Sequence, residues 1–295
     1  MREIVEAVSS MRAPAGRYVA LPGRGRTFVR ELPGPAGAPT VVLLHGWTTT
    51  AALNWSPSFG PLSRHFRVIA LDHRGHGRGL RSAAPFRLED CADDVAALLD
   101  SLGIERCIAA GYSMGGPIAQ LLRRRHPGLV DGLVLCATSA SFHGTRREWL
   151  LSGLATGGCL LATAPPTRPA LAAAMAVARV WHRPCGLQGV GELTGHDWTK
   201  LIEAGREICR FDSRPWVHEL TVPTTVLATT ADDIVPPHRQ LALAAAIPNA
   251  SLRMVAGGHA VCTTAPQRFV PAFVAACRDV VARATPTSAV RIDAA

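Results

Sequence analysis

Short runs of consecutive apolar residues alternate along this chain with longer stretches in which apolar positions recur at helical spacing. The continuous runs predict buried strands, and they fall at residues 40–44, 66–71, 107–110, 132–137, 224–228 and 251–255. The helical spacing predicts helices near residues 57–65, 88–102, 241–247 and 266–284, and directly after residue 116. Strands that alternate with helices in this way predict an α/β fold, with a parallel sheet covered by helices on both faces.

Two segments depart from this alternation. Residues 18–21 and 27–32 flank the turn Pro22-Gly23-Arg24-Gly25, which predicts a hairpin of two antiparallel edge strands. Residues 141–218 contain no strand pattern and carry helix-like pieces at 146–155, 170–181 and 198–209. The predicted organisation is therefore a core domain of residues 1–140 and 219–295, interrupted by a helical cap at 141–218. About 16 residues at the start and about 10 at the end are predicted to be loosely held.

Composition excludes several classes of partner. The net charge of +9 is spread along the chain, and the one dense cluster, Arg123-Arg124-Arg125, is read as a solvated helix end. Because no basic stripe with interleaved aromatic residues is present, nucleic acid is not an expected partner. The most apolar stretch, residues 149–164, is interrupted by three glycines and followed by two prolines, so stable membrane insertion is not expected either.

The cysteines and the first residues bear on the compartment. The chain has eight cysteines without any C-x-x-C spacing, and several lie inside apolar runs, as buried free thiols do. The first six residues include two acids, Glu3 and Glu6, where a secretory signal would have an apolar core. Together these features predict a cytoplasmic protein.

A G-x-S-x-G pattern at residues 111–115 is the strongest chemical signal. It lies between a predicted strand and a predicted helix, where a sharp turn holds Ser113 in a strained conformation that lifts its hydroxyl clear of the sheet. Gly111 and Gly115 avoid collisions between the strand and the helix. The backbone N–H groups and dipole at the helix start favour an anion beside Ser113.

A serine hydroxyl is a weak nucleophile near neutral pH, so it needs a base. Of the eleven histidines, His259 is the best candidate because it follows the last predicted strand in a glycine-rich loop. The imidazole in turn needs a carboxylate, and Asp232 follows the preceding strand. Asp233 is the alternative, and one of the two caps the turn. The order Ser, Asp, His is the order of the hydrolase class with this elbow.

Negative charge on the carbonyl oxygen of a tetrahedral intermediate needs preorganised donors. The N–H of Met114 directly follows the nucleophile, and the second donor is expected from Trp47, in the loop after the strand at 40–44. The side chains of Trp47, His45 and Tyr112 are predicted to line the substrate pocket, and His45 is expected to order its loop rather than to take part in the chemistry.

Two further groups are read as structural. His73 and His76 have the spacing of a metal pair, but no third ligand is evident, so no metal is predicted. Cys262 lies near His259 in sequence and is read as a packing residue, because Ser113 already fills the nucleophile position.

These patterns together resemble the α/β-hydrolase family with a cap domain, over residues 18–283. The resemblance is carried by Leu44-His45-Gly46-Trp47, Asp72-His73-Arg74-Gly75-His76-Gly77, Gly111-Tyr112-Ser113-Met114-Gly115-Gly116, residues 232–236 and Gly258-His259. It implies an eight-stranded, mostly parallel sheet, a triad of Ser113, Asp232 and His259, and no cofactor or metal. Thr229 stands where similar chains have glycine, and Arg78-Gly79 replaces a small polar end of the Asp72 loop.

The leading hypothesis is therefore a serine hydrolase that cleaves a small-molecule carboxylic ester through an acyl-enzyme. The Ala- and Leu-rich insertion favours an apolar acyl group. The alternatives left open are a cofactor-free perhydrolase of the haloperoxidase-like group, a carbon–carbon bond hydrolase, an acyltransferase, and a non-enzymatic ligand receptor on the same fold. The oligomeric state is not predicted by the sequence.

Overall fold

A single eight-stranded sheet organises the chain in the computed structural model, which describes residues 13–142 and 195–284. Its strands lie in the order β1-β2-β4-β3-β5-β6-β7-β8, and β2 runs antiparallel to β1 and β4, whereas the other neighbours are parallel. The strands are β1 (Gly16–Leu21), β2 (Gly25–Leu32), β3 (Thr40–Leu44), β4 (Arg67–Leu71), β5 (Cys107–Tyr112), β6 (Val130–Cys136), β7 (Thr224–Thr229) and β8 (Ser251–Val255).

Helices pack on both faces of this sheet. In chain order the described helices are α1 (Ala51–Ser63), α2 (Leu88–Ser101), α3 (Gly115–Arg125), α4 (Trp198–Arg210), α5 (Pro237–Ala246), α6 (Val261–Thr264) and α7 (Pro266–Ala284), with a 3₁₀ turn at Val217–Glu219. Because successive residues of a strand point to opposite faces, Val42 and Leu44 contribute to one core and Val41 and Leu43 to the other. The first core also takes residues from α2, α3 and α5, and the second from α1, α6 and α7.

The strand order reverses around β3. From β3 the chain moves outwards to β4, then returns to the other side of β3 to form β5, with Leu44 opposite Gly111 at the ends of the two strands. In open parallel sheets such a reversal leaves a crevice beyond the carboxyl ends of the strands, where ligands bind. The loop after β3 and the turn after β5 therefore meet at this edge.

The predicted eight-stranded α/β architecture is confirmed, including the hairpin of β1 and β2. The hairpin differs in one respect, because only β1 is an edge strand and β2 pairs with β4. The predicted start of α1 near residue 57 is wrong. The helix begins at Ala51, because the Thr50 hydroxyl accepts the Leu53 N–H at 3.2 Å and an Asp72 carboxylate oxygen accepts the Ala51 N–H at 3.0 Å.

Part of the predicted insertion is described. Helix α4 matches the expected helix at 198–209, whereas the expected pieces at 146–155 and 170–181 lie outside the described residues. Ser141 and Asp212 form an antiparallel bridge, and the Ser213 N–H donates to the Ala140 carbonyl at 2.7 Å. The chain therefore leaves the core and returns to it at one place. The division into core and cap at residues 140 and 219 stays a prediction, as do the loose ends, which fall mostly at 1–12 and 285–295, outside the described residues.

The buried cysteines expected from the sequence are present in the structure. Five of the six described cysteines are buried free thiols, as predicted: Cys91, Cys107, Cys136, Cys262 and Cys277. Cys159 and Cys185 lie outside the described residues. Within residues 13–142 and 195–284, no helix combines the length and the hydrophobicity that crossing a membrane requires.

Candidate active site

Ser113 sits in a tight turn between β5 and α3. Its φ of +53° is a left-handed conformation that few residues other than glycine adopt. The turn is close, because a Cβ on Gly111 would lie 2.1 Å from the Gly115 carbonyl oxygen, and a Cβ on Gly115 would lie 2.1 Å from that of Leu44. The Ser113 N–H donates to the Cys136 carbonyl at 2.9 Å, and the Thr138 hydroxyl donates to the Ser113 carbonyl at 2.8 Å. Both bonds tie the strained turn to the neighbouring β6 segment.

A chain of hydrogen bonds connects Ser113 to two residues from distant loops. His259, in the loop after β8, has its Nε2 atom 2.9 Å from Ser113 Oγ and its Nδ1 atom 2.8 Å from Asp232 Oδ2. Because the carboxylate only accepts, Nδ1 carries the proton and Nε2 accepts from the serine hydroxyl. The Tyr112 hydroxyl donates to the His259 carbonyl at 2.6 Å and so holds the loop against the end of β5.

Asp232 is buried and fully supplied with donors. Its Oδ1 accepts the N–H groups of Ile234 and Val235, at 2.9 and 2.8 Å, and its side chain has no exposed surface. Burial would raise the pKa of this carboxyl, but the His259 imidazole and the Val235 and Thr229 donors outweigh it, so the pKa lies below its ordinary value. Asp232 is therefore held as a carboxylate toward the imidazole.

The structure distinguishes Asp232 from its neighbour Asp233. Asp233 is exposed, whereas Asp232 contacts His259. Thr229, which stands where similar chains have glycine, donates its hydroxyl to Asp232 Oδ2 at 2.8 Å, and Gln240 supplies a further N–H at 3.3 Å. The departure at residue 229 thus adds a donor to the carboxylate.

The two predicted oxyanion donors belong to segments that adjoin Ser113. Met114 directly precedes α3, and Trp47 follows Gly46, whose Cβ position would lie 3.4 Å from the Ser113 Cβ. Within the described residues, neither the Trp47 N–H nor the Met114 N–H donates to a protein acceptor. Their role as oxyanion donors stays a prediction.

The loop that carries Trp47 is fixed from three directions. The Asn54 side-chain oxygen accepts the Gly46 N–H at 2.9 Å. The His45 ring donates from Nδ1 to the Gly46 carbonyl at 2.7 Å and accepts the His73 N–H at Nε2 at 2.9 Å. Asp72 binds the first turn of α1 on the far side of the loop. The segment Asp72–Gly77 thus supports the β3 loop, a role that its sequence does not reveal.

His45 and Tyr112 are placed differently from Trp47. His45 is fully buried with both ring nitrogens occupied, so it orders the loop, and a contact of its ring with substrate stays a prediction. Tyr112 is also buried, and its ring meets the His259 imidazole edge-on at 5.8 Å between centroids. The Trp47 side chain is 39% exposed and remains the open candidate for a pocket wall.

A cluster of buried imidazoles lies beneath this loop, and the sequence pattern did not indicate it. The His45 ring centroid is 4.3 Å from that of His73 and 5.3 Å from that of His76, and His196 lies 5.8 Å beyond His76. Burial, followed by the neighbouring cations, lowers the pKa of His73 to about 3, and burial does the same for His76. The pKa of His45 is also well below its ordinary value, mainly through burial.

Comparisons with known proteins agree with this architecture. The sequence model of a family described as "alpha/beta hydrolase fold" matches residues 39–154. RutD of Serratia proteamaculans (strain 568), provisionally named a carbamate hydrolase, is 31% identical over 79% of this chain and 88% of its own length. The solved structure of a hydrolase from Pseudomonas aeruginosa PA01 has a TM-score of 0.72, with 25% identity over 90% of this chain and 98% of that chain. The enol-lactonase from Burkholderia xenovorans LB400 has a TM-score of 0.70, with 27% identity over 88% and 98% of the two chains.

The buried imidazoles predict that the protein loses stability in mild acid. Between pH 6.5 and about 3, His73 is protonated in the unfolded chain but neutral in the folded one. Each unit by which the pH falls within this range therefore lowers the free energy of unfolding by roughly 1.4 kcal/mol. We expect His73→Phe to make the fall in unfolding free energy between pH 6 and pH 5 shallower by about this amount, measured by urea unfolding. His65→Phe, at an exposed position, controls for loss of a histidine as such. An unchanged slope in His73→Phe would contradict the assignment.

Proposed function

This chain belongs to the α/β-hydrolase fold family, and we propose that it is a serine hydrolase of carboxylic esters with an apolar acyl group, working through an acyl-enzyme. Its relatives support hydrolysis as the class of reaction. The observation that carries the proposal is the continuous hydrogen-bond chain from Ser113 Oγ through both nitrogens of His259 to the buried Asp232 carboxylate.

In the acylation step, Ser113 Oγ attacks the ester carbonyl carbon while its proton passes to His259 Nε2. Asp232 stabilises the resulting imidazolium and keeps Nδ1 protonated, so that Nε2 faces the serine. The carbonyl oxygen becomes an oxyanion, which accepts hydrogen bonds from the Trp47 and Met114 N–H groups. Loss of one such donor costs roughly 3–4 kcal/mol of transition-state stabilisation. The intermediate then collapses, and the leaving alcohol takes the proton from Nε2.

In the deacylation step, a water molecule replaces the alcohol. His259 Nε2 removes a proton from the water as its oxygen attacks the acyl carbon, and the same two N–H groups bind the second oxyanion. Collapse of this intermediate breaks the bond to Ser113 Oγ, which recovers its proton from Nε2. The products are the carboxylic acid and the free enzyme.

Carbamate hydrolysis is the second candidate, because the RutD relatives carry that provisional name over most of this chain. The same residues would act on a carbamate, with Ser113 forming a carbamoyl-enzyme. A carbamate carbonyl is less electrophilic than an ester carbonyl, because the adjacent nitrogen donates electron density to it. The carbamoyl-enzyme would therefore be attacked by water more slowly than an acyl-enzyme.

Covalent labelling tests the nucleophile. We expect a fluorophosphonate probe to label the intact protein at Ser113, detected by peptide mass spectrometry, and Ser113→Ala to remain unlabelled. Cys262→Ala is the matched control, since this buried thiol lies close to the site and should not affect labelling. An unlabelled wild-type protein would favour the receptor alternative.

The two adjacent aspartates allow a matched test of the carboxylate. Asp232→Asn removes the acceptor that fixes the His259 tautomer, and we expect kcat for p-nitrophenyl acetate to fall about 10⁴-fold. The Asp233→Asn protein, changed at an exposed position, should retain the wild-type kcat. Removal of the base itself in His259→Ala should reduce kcat by roughly 10³- to 10⁶-fold. Equal kcat values for Asp232→Asn and Asp233→Asn would refute the assignment.

A substrate panel separates the two candidate functions. With p-nitrophenyl esters, we expect kcat/KM to be about 10-fold higher for the butyryl than for the acetyl ester, because each buried CH₂ contributes about 0.8 kcal/mol. With p-nitrophenyl dimethylcarbamate, we expect a burst of p-nitrophenol followed by slow turnover. A steady-state kcat/KM for the carbamate that equals or exceeds that of the esters would make carbamate hydrolysis the function.

A further inference from the structure

The Trp47 side chain contacts helix α4, which lies in the predicted insertion and is not part of the sheet. Its indole N–H donates to the Leu201 carbonyl of α4 at 2.8 Å. One turn further along the same helix, a Cβ on Gly205 would lie 2.8 Å from Cζ2 and 3.1 Å from Cη2 of the Trp47 ring. The indole therefore touches α4 at two positions four residues apart, by one hydrogen bond and one close packing contact.

This contact accounts for the glycine within α4. Glycine in a helix interior costs about 1 kcal/mol relative to alanine, because it has more backbone freedom to lose on folding. At Gly205 the space that a methyl group would take is occupied by the six-membered part of the indole. The glycine makes helix α4 less stable than an alanine would, but it leaves room for the Trp47 ring.

Helix α4 is itself fixed to the loop after β4. The Asp197 N–H donates to the Gly75 carbonyl at 2.8 Å, and the Phe86 N–H donates to a Glu203 carboxylate oxygen at 2.7 Å. The Lys200 ammonium donates to the Ala84 carbonyl at 2.8 Å. Because these bonds hold the first two turns of α4 against the core, the helix provides a fixed support for the indole.

The backbone around Trp47 is strained and needs such a support. The next residue, Thr48, has a φ of +58°, a conformation that is a marked outlier for a β-branched residue and costs of order 1–3 kcal/mol. The Thr48 hydroxyl donates to the Trp47 carbonyl at 2.7 Å, and Asn54 holds the preceding Gly46 N–H. A backbone held in a costly conformation relaxes when its contacts are lost, and the direction of the Trp47 N–H changes with it.

We propose that Trp47 is a positioning residue, whose indole anchors its own backbone N–H toward the oxyanion by binding α4 at Leu201 and Gly205. The inference rests on the proposed function, since it assumes that this N–H binds the oxyanion beside Ser113. It adds that the position of α4, a helix of the predicted cap segment, controls the strength of that donor.

The test begins with Trp47→Phe, which keeps an aromatic ring but removes the indole N–H and the atoms that contact Gly205. With p-nitrophenyl acetate we expect kcat to fall about 10-fold, less than the 10²–10³ that follows outright loss of an oxyanion donor. The pH midpoint of kcat should stay at the wild-type value, because the Ser113–His259–Asp232 contacts are unchanged. The loss should appear in kcat and not only in KM, because the oxyanion forms only after the substrate has bound. The matched control is Trp216→Phe, whose ring lies under the Arg124 guanidinium and should leave kcat unchanged.

A double-mutant cycle with Gly205→Ala then tests whether the effect passes through the indole. In the wild-type background the new methyl group displaces the ring, so we expect kcat to fall about 10-fold. In the Trp47→Phe background the same change should have no further effect, because the clashing ring atoms are absent.

The outcomes separate this inference from the function on which it rests. A wild-type protein that neither reacts with fluorophosphonate nor turns over esters contradicts the proposed function. An active wild type with unchanged kcat in Trp47→Phe contradicts the inference alone. An effect of Trp47→Phe that is confined to KM also contradicts the inference, because it assigns the side chain to substrate contact. An equal loss of kcat from Gly205→Ala in both backgrounds contradicts it as well, because that loss reflects general packing and not the indole.

Discussion

The close approach between the turn after β5 and the end of β3 is the constraint on which the site depends. With a Cβ at either Gly111 or Gly115, the strand and the helix would have to separate, and the Ser113 backbone could not take its left-handed conformation. That conformation directs Oγ away from the sheet, toward the edge where the other loops end. The strained turn is held by a backbone hydrogen bond to Cys136 at the end of β6 and by the side-chain hydroxyl of Thr138 just beyond it. The reactive geometry is therefore a property of the sheet and not of a mobile loop.

The loops that surround Ser113 are made rigid by buried polar groups. The Asp232 carboxylate accepts from two backbone N–H groups and two side chains in addition to His259, and the Gly46 peptide is held at both its N–H and, through His45, its carbonyl. Buried groups of this kind are costly unless satisfied, so each one specifies a single arrangement of its loop. This order has a cost as well, because a cluster of imidazoles is kept neutral under the β3 loop.

The sequence was sufficient to predict the sheet, the edge at which the loops meet and the three residues that now lie in one hydrogen-bond chain. These depend on local patterns and on the rule that parallel strands end at one edge. It favoured Asp232 but left Asp233 as an alternative, because the choice depends on how one turn faces a histidine 27 residues away in the chain. The start of α1 depends on Asp72, and the role of Gly205 depends on an indole 158 positions earlier. Contacts of this kind leave no periodicity in the sequence.

The pairing of Ser141 with Asp212 bears on how this scaffold can diversify. Because the segment between Ser141 and Asp212 begins and ends at neighbouring points, its length has little effect on the distance between β6 and β7. Doubling such a loop costs only about 0.6 kcal/mol in closure entropy. Insertion, deletion or replacement of residues between positions 141 and 212 is therefore compatible with an unchanged pairing of β6 with β7 and with unchanged contacts among Ser113, His259 and Asp232.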